Sequence, residues 1–131
     1  MPIDIKFDKP LNGKRDLRVL VCGGRKYNDW STVALALDKL QETFGIVTVI
    51  SGGATGGDTL AVRWGVEQEK DVQIYPADWT KGRSAGPQRN KRMLREGKPD
   101  MVLAFPGGRG TENMKALARE AGVPVAVVEL S

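Results

Sequence analysis

Residues 102–114 read VLAFPGGRGTENM, and this stretch changes character twice. An apolar run from Met101 to Phe105 stops at Pro106, three glycines follow (Gly107, Gly108 and Gly110), and a helix-like pattern opens at Thr111. A strand that turns through glycines into a helix leaves backbone N–H groups without partners at the helix start. Together with the positive end of the helix dipole they form an anion site. Glycine suits the turn because a side chain would hold a ligand's oxygens away from the backbone. The stretch therefore reads as strand, phosphate cradle, helix.

The same unit recurs on both sides. Upstream, Leu17–Cys22 (LRVLVC) is a strand ended by Gly23-Gly24, and Asn28 or Asp29 can cap a helix carrying Trp30, Val33, Leu37, Leu40 and Phe44 on one face. Gly45 closes that helix. Ile46–Ile50 is a second strand and enters SGGATGGD (51–58), followed by a helix from about Asp58 to Lys70. Val72–Tyr75 is a short third strand, PADWTKGRSAGP (76–87) a long polar loop, and Pro87–Glu96 a basic helix. Met101–Phe105 is the fourth strand, Thr111–Ala121 the fourth helix and Pro124–Leu130 the last strand. The strands are continuous Val/Ile/Leu runs, which implies helices on both faces of a parallel sheet. The expected fold is a Rossmann-like three-layer α/β/α sandwich with strand order 3-2-1-4-5. Residues 17–131 form one domain, and residues 1–16 form an N-terminal arm or added edge segment.

In such a sheet every strand-to-helix loop leaves at the carboxyl edge, and ligands bind where strand order reverses. The order given sets Gly23-Gly24-Arg25 beside residues 106–111, with residues 51–58 next in line. A glycine can also serve only a tight turn, and Gly45, Gly97 and Gly122, at helix ends, read that way. No Gly-Lys-Ser/Thr follows the glycines and no GxGxxG follows the first strand, which disfavours a P-loop NTPase and a standard NAD dehydrogenase.

Composition narrows the chemistry. The 131 residues include one cysteine, Cys22, and no histidine, which removes disulfides, Cys/His zinc sites and every Ser–His or Cys–His nucleophile system. What is left is carboxylates, Arg, Lys, hydroxyls, backbone amides or a hard cation. Cys22 ends an apolar run and reads as a buried structural thiol. The net charge of +4 suits an anionic partner without diagnosing nucleic acid. No apolar run approaches the roughly 20 residues of a membrane span, and MPIDIKFDK is unlike a signal peptide, so no membrane partner and a cytoplasmic location are expected.

CGGRKYND (22–29), SGGATGGD (51–58), ADW (77–79), AGPQRNKRM (85–93) and FPGGRGT (105–111), in this order, resemble the YspA-like (cpYpsA-related) family of the SLOG superfamily. That superfamily also holds the LOG-type phosphoribohydrolases and the DprA/Smf DNA-processing proteins. The resemblance spans about residues 17–130. It implies a Rossmann-like fold binding a nucleotide or nucleotide-derived ligand, related to NAD, ADP-ribose or a nucleoside phosphate. In LOG enzymes a PGGxGTxxE motif supplies phosphate contacts and a catalytic Glu. Here Pro106–Thr111 matches the first part, but the Glu position is Met114. Glu112 lies about 200° away around a helix and should not reach the same spot.

The candidate roles follow. Amides around Gly23, Gly24, Gly107, Gly108, Gly110 and Thr111 would hold a phosphate, with the Thr111 hydroxyl as a further donor, and Gly52 and Gly53 belong to the second ligand loop. Arg89 would clamp phosphate oxygens through its planar fork or is a solvated arginine on a basic helix. Asn90 would hold the loop or read a ribose or base, and Arg25 and Arg109 are further anion contacts. Asp58 is an N-cap or, pointing inward, binds a ribose hydroxyl, binds a divalent cation, or acts as general base. Trp79 either stacks on a base or plugs its loop to the core. Trp64 belongs to the core.

Three functions are compatible with these residues. One is a nucleotide-ligand sensor or binding module. The second is a hydrolase of a nucleoside phosphate or ADP-ribose derivative, with Asp58 and Arg89 catalytic. The third is a DprA-like nucleic-acid binder, for which the basic helix speaks. The LOG resemblance also suggests a homodimer, and no dedicated metal site is expected.

Overall fold

The computed structural model describes residues 2–130. Met1, at the head of the expected arm, and Ser131, at the end of the expected domain, lie outside the described residues. The chain runs β1 (Ile3–Phe7), β2 (Leu17–Cys22), α1 (Trp30–Phe44), β3 (Ile46–Ser51), α2 (Gly57–Glu67), β4 (Asp71–Ile74), a 3-10 turn (Trp79–Ser84), α3 (Ala85–Gly97), β5 (Met101–Ala104), α4 (Arg109–Glu120) and β6 (Val125–Leu130). One sheet holds all six strands in the order β1-β6-β5-β2-β3-β4. The five strands from β2 onward are parallel and β1 pairs antiparallel with β6. The expected order therefore stands for the five parallel strands and lacked the sixth.

That sixth strand comes from the arm. Ile3, Ile5 and Phe7 alternate with Asp4 and Lys6, the two-residue period of a half-covered strand. Past its end, the Asp8 carboxylate accepts from the Val125 N–H at 2.9 Å and from the Arg119 guanidinium at 3.0 Å, tying the segment to β6 and α4. Burial in the protein costs that carboxyl some affinity for its charge, but these two donors outweigh it and hold its pKa low.

The strand pleat sorts side chains into two cores. Leu17, Val19 and Val21 of β2, with Met101 and Leu103 of β5, face α1 and α2, while Leu20, Cys22, Val102 and Ala104 face α3 and α4. Trp64 of α2 is 1% exposed, and its indole N–H donates to Asp38 of α1 at 2.9 Å, so its one polar atom is not stranded in the core. Asp29 caps α1, accepting from the Thr32 N–H at 3.1 Å and its hydroxyl at 2.6 Å. Two helix starts differ from expectation. α4 begins at Arg109 rather than Thr111, and α3 begins at Ala85, directly after the 3-10 turn. No helix among the described residues is long and apolar enough to cross a membrane.

Candidate functional site

At the carboxyl edge, where β2 and β5 lie side by side and the chain departs to opposite flanks, a cleft of about 790 Å³ opens. Four segments line it: Cys22–Arg25 after β2, Ala54 and Asp58 around the start of α2, the 3-10 turn and first half of α3, and Gly108–Thr111 at the start of α4. All of the expected loops thus reach one edge.

The glycines divide into two kinds. Some let the loops touch one another. A Cβ on Gly23 would stand 3.2 Å from the Gly57 Cα, and one on Gly24 would stand 3.1 Å from the Gly107 Cα. Gly56, at φ 83°, would drive a Cβ onto the Gly24 carbonyl oxygen. The Gly24 N–H donates to the Pro106 carbonyl at 2.8 Å, and the Gly57 N–H donates to the Gly24 carbonyl at 3.1 Å. The Gly24 amide is therefore spent on loop packing and is not a free phosphate donor. Gly107 packs onto the Thr111 side chain and is not part of the cleft wall.

The others open onto the cleft. Gly108 precedes α4 with no side-chain cap, so the amides of Arg109, Gly110 and Thr111 begin a helix without i−4 partners. These donors stand at the positive end of a twelve-residue helix and face the cleft, an arrangement suited to an anion.

The loop 51–58 works differently from its expected role. The Gly53 N–H donates to the Ser51 hydroxyl at 3.1 Å, and the Ala54 N–H donates to the Asp58 carboxylate at 3.3 Å. Gly52 is buried, Gly53 is exposed, and neither lines the cleft. This glycine loop thus wraps a carboxylate of its own chain. Asp58 is 6% exposed, and burial pushes its carboxyl up to about 6. The Ala54 amide, the Arg89 guanidinium, the Gly52 amide and Arg25 each pull the other way and do not offset it.

Arg89 reaches across from α3. Its Nη1 donates to the Gly52 carbonyl at 2.7 Å and its Nε to the Asn90 Oδ1 at 3.0 Å. Burial lowers its pKa, while the Asp58 charge opposes that and Arg25 adds to it. Asn90, 3% exposed, gives its amide hydrogens to the Gly110 carbonyl at 3.3 Å and to Asn113 Oδ1 at 2.8 Å. Asn90 is therefore a strut: it locks α3 to the first turn of α4 and aims Arg89. Of the two roles open to it, holding the loop is the one its hydrogen bonds serve.

Arg25 lies with its guanidinium 5.0 Å from the Trp79 ring centroid, and Trp79, 52% exposed, stands on the cleft wall above Gly86. Trp79 thus does not plug its loop to the core. Glu112 is exposed, pairs with Lys115 at 2.6 Å and does not line the cleft, while Met114 is buried in the α3/α4 core. Cys22 sits on the cleft floor, and burial holds its thiol firmly protonated. Asn113, Arg83 and Met93 also line the cleft and were not expected there. Asn113 had a signal, since it lies one helical step past the glycines on the face of Gly110.

Fold and site together define a Rossmann-like α/β protein with a ligand-sized cleft at the carboxyl edge of its sheet. The model of the YspA, cpYpsA-related SLOG family matches residues 17–82, taking in the first two glycine loops and ADW but not AGPQRNKRM or FPGGRGT. The chain is 42% identical over 118 residues to the Gene 61 protein of Mycobacterium phage D29, an alignment covering 82% of this chain and 93% of that protein. This chain belongs to the YspA, cpYpsA-related SLOG family. No solved structure matches it. Membership of the SLOG family points to a nucleotide-related binding module.

Proposed function

We propose that the cleft binds a phosphate-bearing nucleotide ligand of the nucleoside-phosphate or ADP-ribose type, as a binding or sensing module. The observation that carries this reading is the uncapped N-terminus of α4, open to a cleft of about 790 Å³ that also holds Arg89 and a half-exposed Trp79. A phosphate set against the amides of Arg109, Gly110 and Thr111 meets aligned donors and a favourable dipole. Arg89 supplies charge from the facing helix, with Nη2 left over after its bonds to Gly52 and Asn90. Arg25 and Arg109 add positive potential, and Trp79 offers a flat face to a base. Calorimetric titration with AMP and ADP-ribose tests the reading. Saturable binding that Arg89→Ala weakens supports it; no heat with either compound refutes it.

A second reading, hydrolysis of the bound ligand, is favoured by Asp58. A buried carboxyl with a pKa of about 6, beside Arg89, is largely ionised at neutral pH yet basic enough to take a proton from water. Among the described residues it is the one carboxylate lining the cleft. Among the described residues no group of three or more metal-ligating side chains exists, so a divalent cation would enter on the ligand's phosphates with Asp58 as a protein oxygen. Chromatography of ADP-ribose incubated with the protein tests this reading. Product formation lost in Asp58→Asn supports it, and an unchanged ligand refutes it.

A further inference from the structure

A second hollow of about 350 Å³ lies along α3 and adjoins the cleft at Arg89, which lines both. One wall is the segment after β4, Pro76 to Lys81. The other is the outer face of α3, from Ala85 through Gln88 and Arg92 to Arg95. The ten helical steps from Ala85 to Arg95, at about 1.5 Å each, make this a trough about 15 Å long. That length exceeds a single phosphate and suits a chain of them.

Charge is concentrated there. Its lining holds five basic side chains, Lys81, Arg89, Lys91, Arg92 and Arg95, against one acidic, Asp78, whereas the whole chain carries only +4. Little of this charge is neutralised internally. Glu96 is shared by Arg92 at 3.0 Å and Arg95 at 3.3 Å, and Lys81 and Lys91 form no ion pair among the described residues. Asp78 is turned to another task, accepting from the Thr80 N–H and hydroxyl to cap the 3-10 turn. One aromatic face borders the trough: the Arg92 guanidinium lies 5.1 Å from the Tyr75 ring centroid.

We infer that this trough holds the sugar–phosphate backbone of a single-stranded nucleic acid, without reading its sequence. Lysines and arginines spaced along a groove track successive phosphates, and the Arg92–Tyr75 stack at its border gives a base a π face that an acidic peptide does not use. A concave trough encloses one strand, whereas duplex readers offer a projecting helix or ribbon to the DNA groove. The inference does not depend on what the cleft binds.

Fluorescence anisotropy of a labelled oligothymidylate of about 15 nucleotides tests it, since a single site of this kind covers about 4–16 nucleotides. Binding is expected at low salt, with a log–log salt slope near −2 if about three phosphates are neutralised at about 0.7 each. The double variant Lys91→Glu/Arg95→Glu, altered at two exposed positions outside the cleft, is expected to bind at least ~10-fold more weakly with an unchanged melting temperature. Lys91→Gln/Arg95→Gln carries the same test, with a smaller loss, should the charge-reversed chain not fold. Four results each overturn the inference: no anisotropy change at low salt, wild-type affinity in the double variant, equal affinity for the matching duplex, or equal competition by polyglutamate.

Discussion

Asp58→Asn is predicted to make the protein more stable at neutral pH and less stable in acid. The carboxyl's ordinary value is 3.8, and burial raises it to about 6 in the folded chain. At about 1.4 kcal/mol per pH unit, that difference is about 3 kcal/mol of stability withheld wherever the carboxylate is ionised. The sign follows from proton counting. Below about pH 3 the group is neutral in folded and unfolded chains alike and costs nothing. Between about pH 3 and 6 the folded chain keeps a proton that the unfolded chain increasingly loses, so stability falls as pH rises. Above pH 6 both are ionised and the whole penalty applies. Asparagine is neutral throughout and nearly the same shape, but its NH2 group cannot accept from the loop amides that face the carboxylate. That loss is about 1 kcal/mol at every pH. The variant should therefore be about 0.5 kcal/mol less stable than wild type at pH 4 and about 2 kcal/mol more stable near pH 7.5. For a chain of this length, roughly 4 °C per kcal/mol applies, so the difference in melting temperature should change sign across this range. Thermal unfolding of both proteins by circular dichroism, pH 4 to 8, measures it, and subtraction removes titrations common to the pair. A difference that stays flat with pH would falsify the picture of a buried, charge-penalised Asp58.

The remaining predictions concern the other parts of the site. Arg89→Ala should weaken AMP or ADP-ribose binding about 10- to 100-fold by calorimetry, the worth of a charge-assisted contact, while circular dichroism stays native. Asn90→Ala should cost about 2–3 kcal/mol in urea unfolding, because it removes an acceptor from Arg89 and leaves the Gly110 carbonyl and Asn113 short of a donor. Trp79→Phe should abolish any ligand-induced change in tryptophan fluorescence, since Trp64 is buried and Trp30 lies under Arg63, 3.8 Å from its ring centroid. A change that persists in this variant removes Trp79 from the site. Gly56→Ala should destabilise the chain by at least ~1–3 kcal/mol by thermal unfolding, as the positive φ is strained and the new methyl meets the Gly24 carbonyl.

The alternation of apolar runs and 3.6-period helices made the parallel sheet and its five-strand order readable, because strands covered on both faces need no partner information to be recognised. β1 escaped as a strand: five residues alternating Ile-Asp-Ile-Lys-Phe carry little signal, and their partner β6 lies more than 100 residues away. The glycine loops were legible as a group but not one by one. Whether an amide points to a ligand or to a neighbouring loop depends on contacts between residues such as Gly24 and Pro106, which no local pattern records. Asp58 shows the same limit, since its place as the internal anion of a glycine loop depends on how residues 52–54 fold back. Arg89 was legible as an arginine near the site, but its aim depends on Asn90 and on Gly52, 37 positions away.

The account rests on the first turn of α4 being a phosphate seat. Titrating 15N-labelled protein with ADP-ribose and following backbone amide resonances tests this directly. The amides of Arg109, Gly110 and Thr111 should move together along one saturating curve, with the Trp79 indole following. Saturation of the protein with those three resonances unmoved, or no shift anywhere at millimolar ligand, would contradict it.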